Sequence, residues 1–169
     1  MKKMGKASAA IIACLFALDI LSKALILAAA SGSVRPWGDF GELFPQFAHL
    51  FKISEFFDVV LAWNTGVSFS LLSGSGAFNR WALIVLSLAI IRFIYGIMKD
   101  SDEPLDIVGF SMVIAGALGN VADRIRYGAV VDFLDFHIGI YHWPAFNLAD
   151  ASICLGVLVL VYRQLFKSK

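Results

Sequence analysis

The chain has 169 residues, 59% hydrophobic and only 16% charged, with a mean hydropathy of +0.78 and a formal net charge of +1. A soluble domain would carry nearer a quarter charged residues, so a soluble globular protein is set aside. Neither the net charge nor any basic run offers nucleic acid a partner. A bilayer span takes roughly 20 apolar residues, which leaves room here for four spans and two modest loops.

Lys2, Lys3 and Lys6 precede an apolar run over about 7–30. Ala28-Ala29-Ala30-Ser31 has the small residues of a cleavage site, and Ile11-Ile12-Ala13-Cys14 looks like a lipobox. The apolar stretch before Cys14 is too short for a signal-peptide core, and Asp19 and Lys23 would be foreign to one. The run therefore reads as a retained first transmembrane helix, with the lysines holding its start in the cytoplasm. Asp19 and Lys23 are spaced i, i+4, the favourable order for an acid and a base on one helix. They are either a buried ion pair or groups that face a polar cavity and help to hold substrate. Ser22 beside Lys23 is no peptidase dyad, because helical neighbours point about 100° apart.

Residues 31–78 form the first outer loop. Phe40, Phe44, Phe47 and Phe51 recur at helical spacing among Asp39, Glu42 and Lys52. This suggests an interfacial amphipathic helix, although Pro45 would kink it. The alternative is aromatics packing the loop onto the spans. Val59–Trp63 and Val67–Leu71 are strand-like around the turn Asn64-Thr65-Gly66. A small sheet at the membrane surface can brace an extended peptide by backbone pairing, with Asn64 either forming the turn or facing substrate.

Ser73-Gly74-Ser75-Gly76 leads into a second span over about 79–98, whose Arg92 snorkels toward the cytoplasmic surface. A short polar connection follows, Lys99 to Pro104. The third span, about 105–123, has Ser101 or Asp102 as cap and Pro104 in its first turn. Ser111, Ala115 and Gly119 form a small-residue stripe suited to close helix packing. Gly116, Asn120 and Asp123 lie on the adjacent stripe, with Arg124 at the water boundary. In the second outer loop, 124–143, Val130–Phe136 adds a strand. Asp132, Asp135, His137 and His142 match no strong metal-ligand spacing, so neither metal nor cofactor is expected. The fourth span, about 144–162, opens on Asn147 and Asp150 and is followed by Arg163, Lys167 and Lys169. Cys14 and Cys154 sit in apolar segments and read as small hydrophobes. Lysine and arginine thus concentrate at both termini and beside Lys99, giving four spans with both ends cytoplasmic.

The expected fold class is membrane all-α with a small β element. Four transmembrane helices, a small extracytoplasmic β-sheet and a candidate interfacial helix make one integral-membrane domain over 1–169.

One phrase occurs twice, Asn120-Val121-Ala122-Asp123 and Asn147-Leu148-Ala149-Asp150, each at a helix end on the same side of the membrane. Residues three apart share a helix face, so each Asn is expected beside its Asp. Ionisable groups at membrane depth are costly and mark function. Two neighbouring carboxylates cannot both ionise cheaply, so one keeps a proton while the other accepts one from water. That is sufficient chemistry for an intramembrane aspartyl peptidase. The rival account, helix-end acids that merely pair with Arg124 or Arg126, fits a lone Asp better than a repeated phrase.

Five blocks resemble those of bacterial lipoprotein signal peptidase, signal peptidase II. They are Asp19–Lys23, Trp63–Phe69, Gly116–Arg124, Val130–Phe133 and Phe146–Ala151, in the family's order and across nearly the whole chain. The resemblance implies an inner-membrane enzyme that cleaves diacylglyceryl-modified prolipoproteins just before the lipidated cysteine. It implies that Asp123 and Asp150 are catalytic. Asn64, Gly116, Asn120, Arg124 and Asn147 would line the site, Asp19 and Lys23 would contribute from the first helix, and Asp132 would support it. It also implies contact with membrane lipids, an extracytoplasmic active site and sensitivity to globomycin-type peptides; nothing requires more than a monomer. The chain departs from the family at Ala151-Ser152, where Ser commonly follows the second aspartate directly, and in a longer stretch before Asn64. Two other classes remain in view. A proton or ion carrier should spread ionisable groups through the membrane's depth, and a scaffold should tolerate Asp→Asn changes.

Overall fold

The computed structural model describes residues 2–30, 47–66 and 76–166. In chain order these form α1 (Lys2–Ala29), β1 (Phe47–Lys52), β2 (Phe57–Asn64), α2 (Gly76–Lys99), α3 (Pro104–Tyr127), β3 (Val130–Ile138), β4 (Tyr141–His142) and α4 (Leu148–Leu165). Gly5–Ala29, Ala77–Lys99, Pro104–Tyr127 and Leu148–Leu165 are each long and apolar enough to cross a membrane. More than half of α3 is buried, against small fractions of the other three.

The chain divides into two compact units. One comprises Met1–Asp19, Ile84–Ala122 and Leu148–Lys169; the other comprises Ile20–Leu83 and Asp123–Asn147.

The first unit is helical. Met98, Ile107 and Ile114 form its core, packed by Ile12, Ile91, Ile94, Phe110 and Leu118. Close approach of α3 to α4 rests on glycines. A Cβ on Gly156 would lie 2.7 Å from the Gly109 carbonyl oxygen, and one on Gly116 would strike the Ala149 carbonyl. Small residues let helix backbones meet where no hydrophobic effect drives them together. The stripe of Ser111, Ala115 and Gly119 serves other neighbours: Ser111 meets Met98 of α2, and Gly119 lies against Asp19 of α1. Pro104 opens α3 as expected, but Glu103 rather than Ser101 or Asp102 directly precedes it, its carbonyl accepting the Ile107 N–H and its own N–H donating to the Ser101 hydroxyl. Arg163, late in α4, reaches Glu103 at 3.1 Å and Asp106 at 3.6 Å, tying one helix end to the other.

The second unit carries an antiparallel sheet in the order β1-β2-β3-β4. Phe57 pairs with Phe136 and Asn64 with Val130, so the start of β2 adjoins the end of β3. Leu61 and Val131 are fully buried with Ala30 and Tyr127, and Ile26, Leu27, Leu50 and Trp63 close over them. Leu61 and Val131 sit in β-branched and aromatic runs that favour a pleated, half-buried surface.

Strands at Val59–Trp63 and Val130–Phe136 are as expected; Val67–Leu71 lies outside the described residues. The helical reading of the phenylalanines is corrected in part. Phe47 and Phe51 belong to strand β1, because pairing with Ala62 and Val59 outweighs a local spacing interrupted by Pro45. Phe40 and Phe44 fall outside the described residues. The third helix runs on past Asp123 to Tyr127. Charged Arg124 and Arg126 do not end a helix, whereas Gly128 does: its φ of 81° suits glycine, and its N–H closes on the Arg124 carbonyl. The fourth begins at Leu148, because Phe146 is held in a β-bridge to Leu134 and cannot be helical.

Candidate active site

Each half of the repeated phrase has its own setting. In the helical unit, Asp150 occupies the first turn of α4, where the positive end of the helix dipole favours a carboxylate. The Asn120 side-chain amide donates to Asp150 Oδ1 at 2.7 Å. Next to it in sequence, the Ala149 N–H donates to Asp19 Oδ1 at 2.9 Å. Asp19 is a buried carboxylate delivered by α1, and it satisfies one of the orphan donors at the start of α4. Gly119 explains how it fits, since any Cβ there would strike the Asp19 carboxylate. The Ser152 hydroxyl donates to the Met112 carbonyl at 2.8 Å, locking the same turn onto α3. The turn that bears Asp150 is therefore held by residues of two other helices, α1 and α3.

In the sheet-bearing unit, Asp123 is buried one turn before the end of α3. Lys23 Nζ lies 2.9 Å from Asp123 Oδ2, with both side chains almost fully enclosed. The Val131 N–H, at the start of β3, donates to the same oxygen at 3.1 Å. A buried carboxylate needs both a counter-charge and hydrogen bonds to remain tolerable, and Asp123 has them. Asn147 is wholly buried immediately before α4. Its amide donates to Asp132 Oδ1 at 2.6 Å and to the Val131 carbonyl at 3.2 Å. Asp132 thus steadies the strand residue that in turn binds Asp123. Arg124 is half-buried on the last turn of α3. Asn64 is exposed at the end of β2 and accepts the Gly66 N–H at 2.9 Å, the turn-forming role.

Asn120 stands one turn before Asp123 on α3, and the side-chain bonds of the two asparagines also run between elements. Asn120 of the first phrase reaches the aspartate of the second, and Asn147 reaches Asp132. Spacing along one helix could not reveal a bond made to another. Lys23 likewise holds Asp123, while Asp19 caps α4. One contributor went unread: Arg80 of α2 donates to the Ile125 carbonyl at 2.8 Å, capping the C-terminal end of α3. Its only sequence signal was a cation at the start of a span.

The polar residues of the second outer loop are dispersed onto different partners. His142 Nδ1 lies 2.8 Å from Asp135 Oδ2, whereas His137 Nε2 lies 3.2 Å from Asp58 Oδ2. His49 Nε2 approaches that same Asp58 oxygen at 2.6 Å. Asp58 and Asp135 are directly opposite across β2 and β3, an arrangement of like charges that the histidines offset. The hydrogen bond from His49 holds the Asp58 carboxyl below its usual range, with the charges of His49 and His137 acting in the same direction. Among the described residues, no group of three or more His, Cys, Asp or Glu is placed to hold a metal ion.

Comparison with known proteins points one way. A family model described as signal peptidase II, peptidase A8, matches residues 11–166. A lipoprotein signal peptidase of Ralstonia nicotianae is 46% identical over 114 residues, 67% of this chain and 66% of that one. One from Paraburkholderia phymatum is 38% identical over 151 residues, 80% of this chain and 91% of that one. A third, from Francisella tularensis subsp. mediasiatica, is 44% identical over 129 residues, 73% and 79% of the two chains. A solved bacterial membrane enzyme, determined in meso at 1.9 Å resolution, superposes with a TM-score of 0.73 at 25% identity, covering 96% of this chain and 95% of that one. The chain belongs to the signal peptidase II family, membrane peptidases that remove signal peptides from prolipoproteins.

Proposed function

We propose that Asp123 and Asp150 are the catalytic pair of this peptidase. The observation that carries this reading is the Asn120–Asp150 hydrogen bond, since Asn120 stands one helical turn before Asp123 on α3. Its amide serves the second aspartate from the helix that bears the first.

The pair holds one proton. The ionised member takes a proton from water, and the water oxygen attacks the scissile carbonyl carbon. The protonated member hydrogen-bonds the carbonyl oxygen and then protonates the departing amine as the C–N bond breaks. One proton is left on the pair, which titrates as a unit. Lys23 and the Val131 N–H fix Asp123, whereas Asp19 and Asn120 fix Asp150. Gly116 keeps α3 against α4, and Asp132 acts through Asn147. Asn64 and Arg124 complete the lining toward the substrate peptide.

The substrates are diacylglyceryl-modified prolipoproteins, cut before the lipidated cysteine. The enzyme is a monomer of the bacterial inner membrane that works in contact with its lipids. Lys99 ends α2 and Arg163 lies in the last turn of α4, which supports cytoplasmic termini and an extracytoplasmic site. Globomycin-type peptides would occupy the same site. Purified enzyme offered one precursor with and without diacylglycerol on its cysteine tests the substrate class. Cleavage confined to the lipidated precursor is expected; equal cleavage of both would refute it.

A further inference from the structure

The sheet carries an apolar end that its own fold does not cover. Because the start of β2 adjoins the end of β3, the β1–β2 and β3–β4 turns lie together, and the Phe56 carbonyl accepts the His137 N–H there. In the β3–β4 turn, Ile138 is 82% exposed, Ile140 85%, Tyr141 79% and Trp143 69%. Ile53 and Phe56 of the neighbouring turn are exposed beside them. From Ile138 to Trp143 there is no Asp, Glu, Lys or Arg. The carboxylates that meet this turn, Asp135 against His142 and Asp58 against His137, are buried beneath it, and Lys52 and Glu55 form an exposed ion pair in the other turn. A cluster this apolar is unusual on a surface that faces only water.

Its occupant follows from where the chain is tethered. β3 begins three residues after α3 ends, and α4 begins six residues after β4 ends. Both roots of the hairpin are therefore the ends of spanning helices, held at one bilayer surface. The nine residues of β3 extend about 30 Å at roughly 3.4 Å per residue, a reach within which its far turn can return to that surface. Tyr and Trp are the side chains that settle at headgroup depth, while Ile favours the acyl boundary below.

We propose that the paired turns, led by Ile138, Ile140, Tyr141 and Trp143, insert into the headgroup region of the same membrane that holds the four helices. They form a second anchor, independent of the catalytic reading.

Full-length protein with Cys14→Ala and Cys154→Ala is reconstituted into phosphatidylcholine–phosphatidylglycerol vesicles. A nitroxide is then placed at Ile140→Cys or, as an aqueous reference, at exposed Asp102→Cys. Expected at position 140 is collision with dissolved oxygen several-fold above that with a water-soluble nickel chelate, and the reverse at 102. The double variant Ile138→Asp/Ile140→Asp, labelled at Tyr141→Cys, should lose the oxygen preference while keeping its thermal unfolding. Chelate access at 140 equal to that at 102 would overturn the proposal. So would dipolar broadening between labels on two molecules, which would make a second copy the occupant.

Discussion

Lys23 and Asp123 meet at 2.9 Å with neither side chain open to solvent. Removing one partner of a buried pair leaves the other uncompensated, at a cost of about 3–5 kcal/mol. Lys23→Met should therefore lower the unfolding temperature in detergent sharply. Pairing it with Asp123→Asn should restore much of the loss, since no lone charge remains. Equal unfolding temperatures for Lys23→Met and the unmodified protein would show that the pair carries no such weight.

Asp19 is expected to act on the reaction through α4. Asp19→Ala removes the acceptor for the Ala149 N–H, a cap worth about 1 kcal/mol. Because Asp150 follows Ala149 directly, kcat should fall by more than KM rises. A change confined to KM would place Asp19 at the substrate instead.

Gly116→Ala should be among the most damaging single-carbon additions. Its Cβ would strike a backbone carbonyl of α4, which cannot rotate away, and overpacking of this kind costs about 1–3 kcal/mol. Gly5→Ala meets nothing within 4 Å and should leave stability unchanged or slightly higher. Thermal unfolding of the two variants side by side checks the contrast.

The sheet should respond to acid through Asp58. Its carboxyl titrates below the ordinary value because of His49. Its contribution to stability is thus fully present above the unfolded value of about 3.9 and is lost as pH falls through the lowered folded one. His49→Ala removes the largest cause, so the loss should begin at higher pH. An unaltered acid-unfolding midpoint would show that His49 does not set it.

Much of this architecture was readable from residue order, and the exceptions share a cause. Runs of apolar residues long enough to span lipid marked all four helices, and β-branched runs marked β2 and β3. Phe47 and Phe51 were misread because a strand edge depends on its partner, Ala62 and Val59, rather than on spacing within its own segment. The ends of α3 and α4 moved for similar reasons: a glycine at positive φ closes one, and a β-bridge delays the other. Among the candidate site residues, Asp19, Lys23, Asn120 and Asn147 were legible as costly polar groups in apolar surroundings. Their partners were not, because each bond joins distant parts of the chain.

The claim on which the account rests is that Asp123 and Asp150 act as one unit. Turnover of a lipidated precursor should be compared for Asp123→Asn, Asp150→Asn and the double variant, each verified as folded by thermal unfolding in detergent. Residues acting together give non-additive losses, so either single change should cut kcat/KM by about a thousandfold or more, and the double should be no worse. Substantial turnover by either single variant, or losses that multiply in the double, would contradict a shared mechanism.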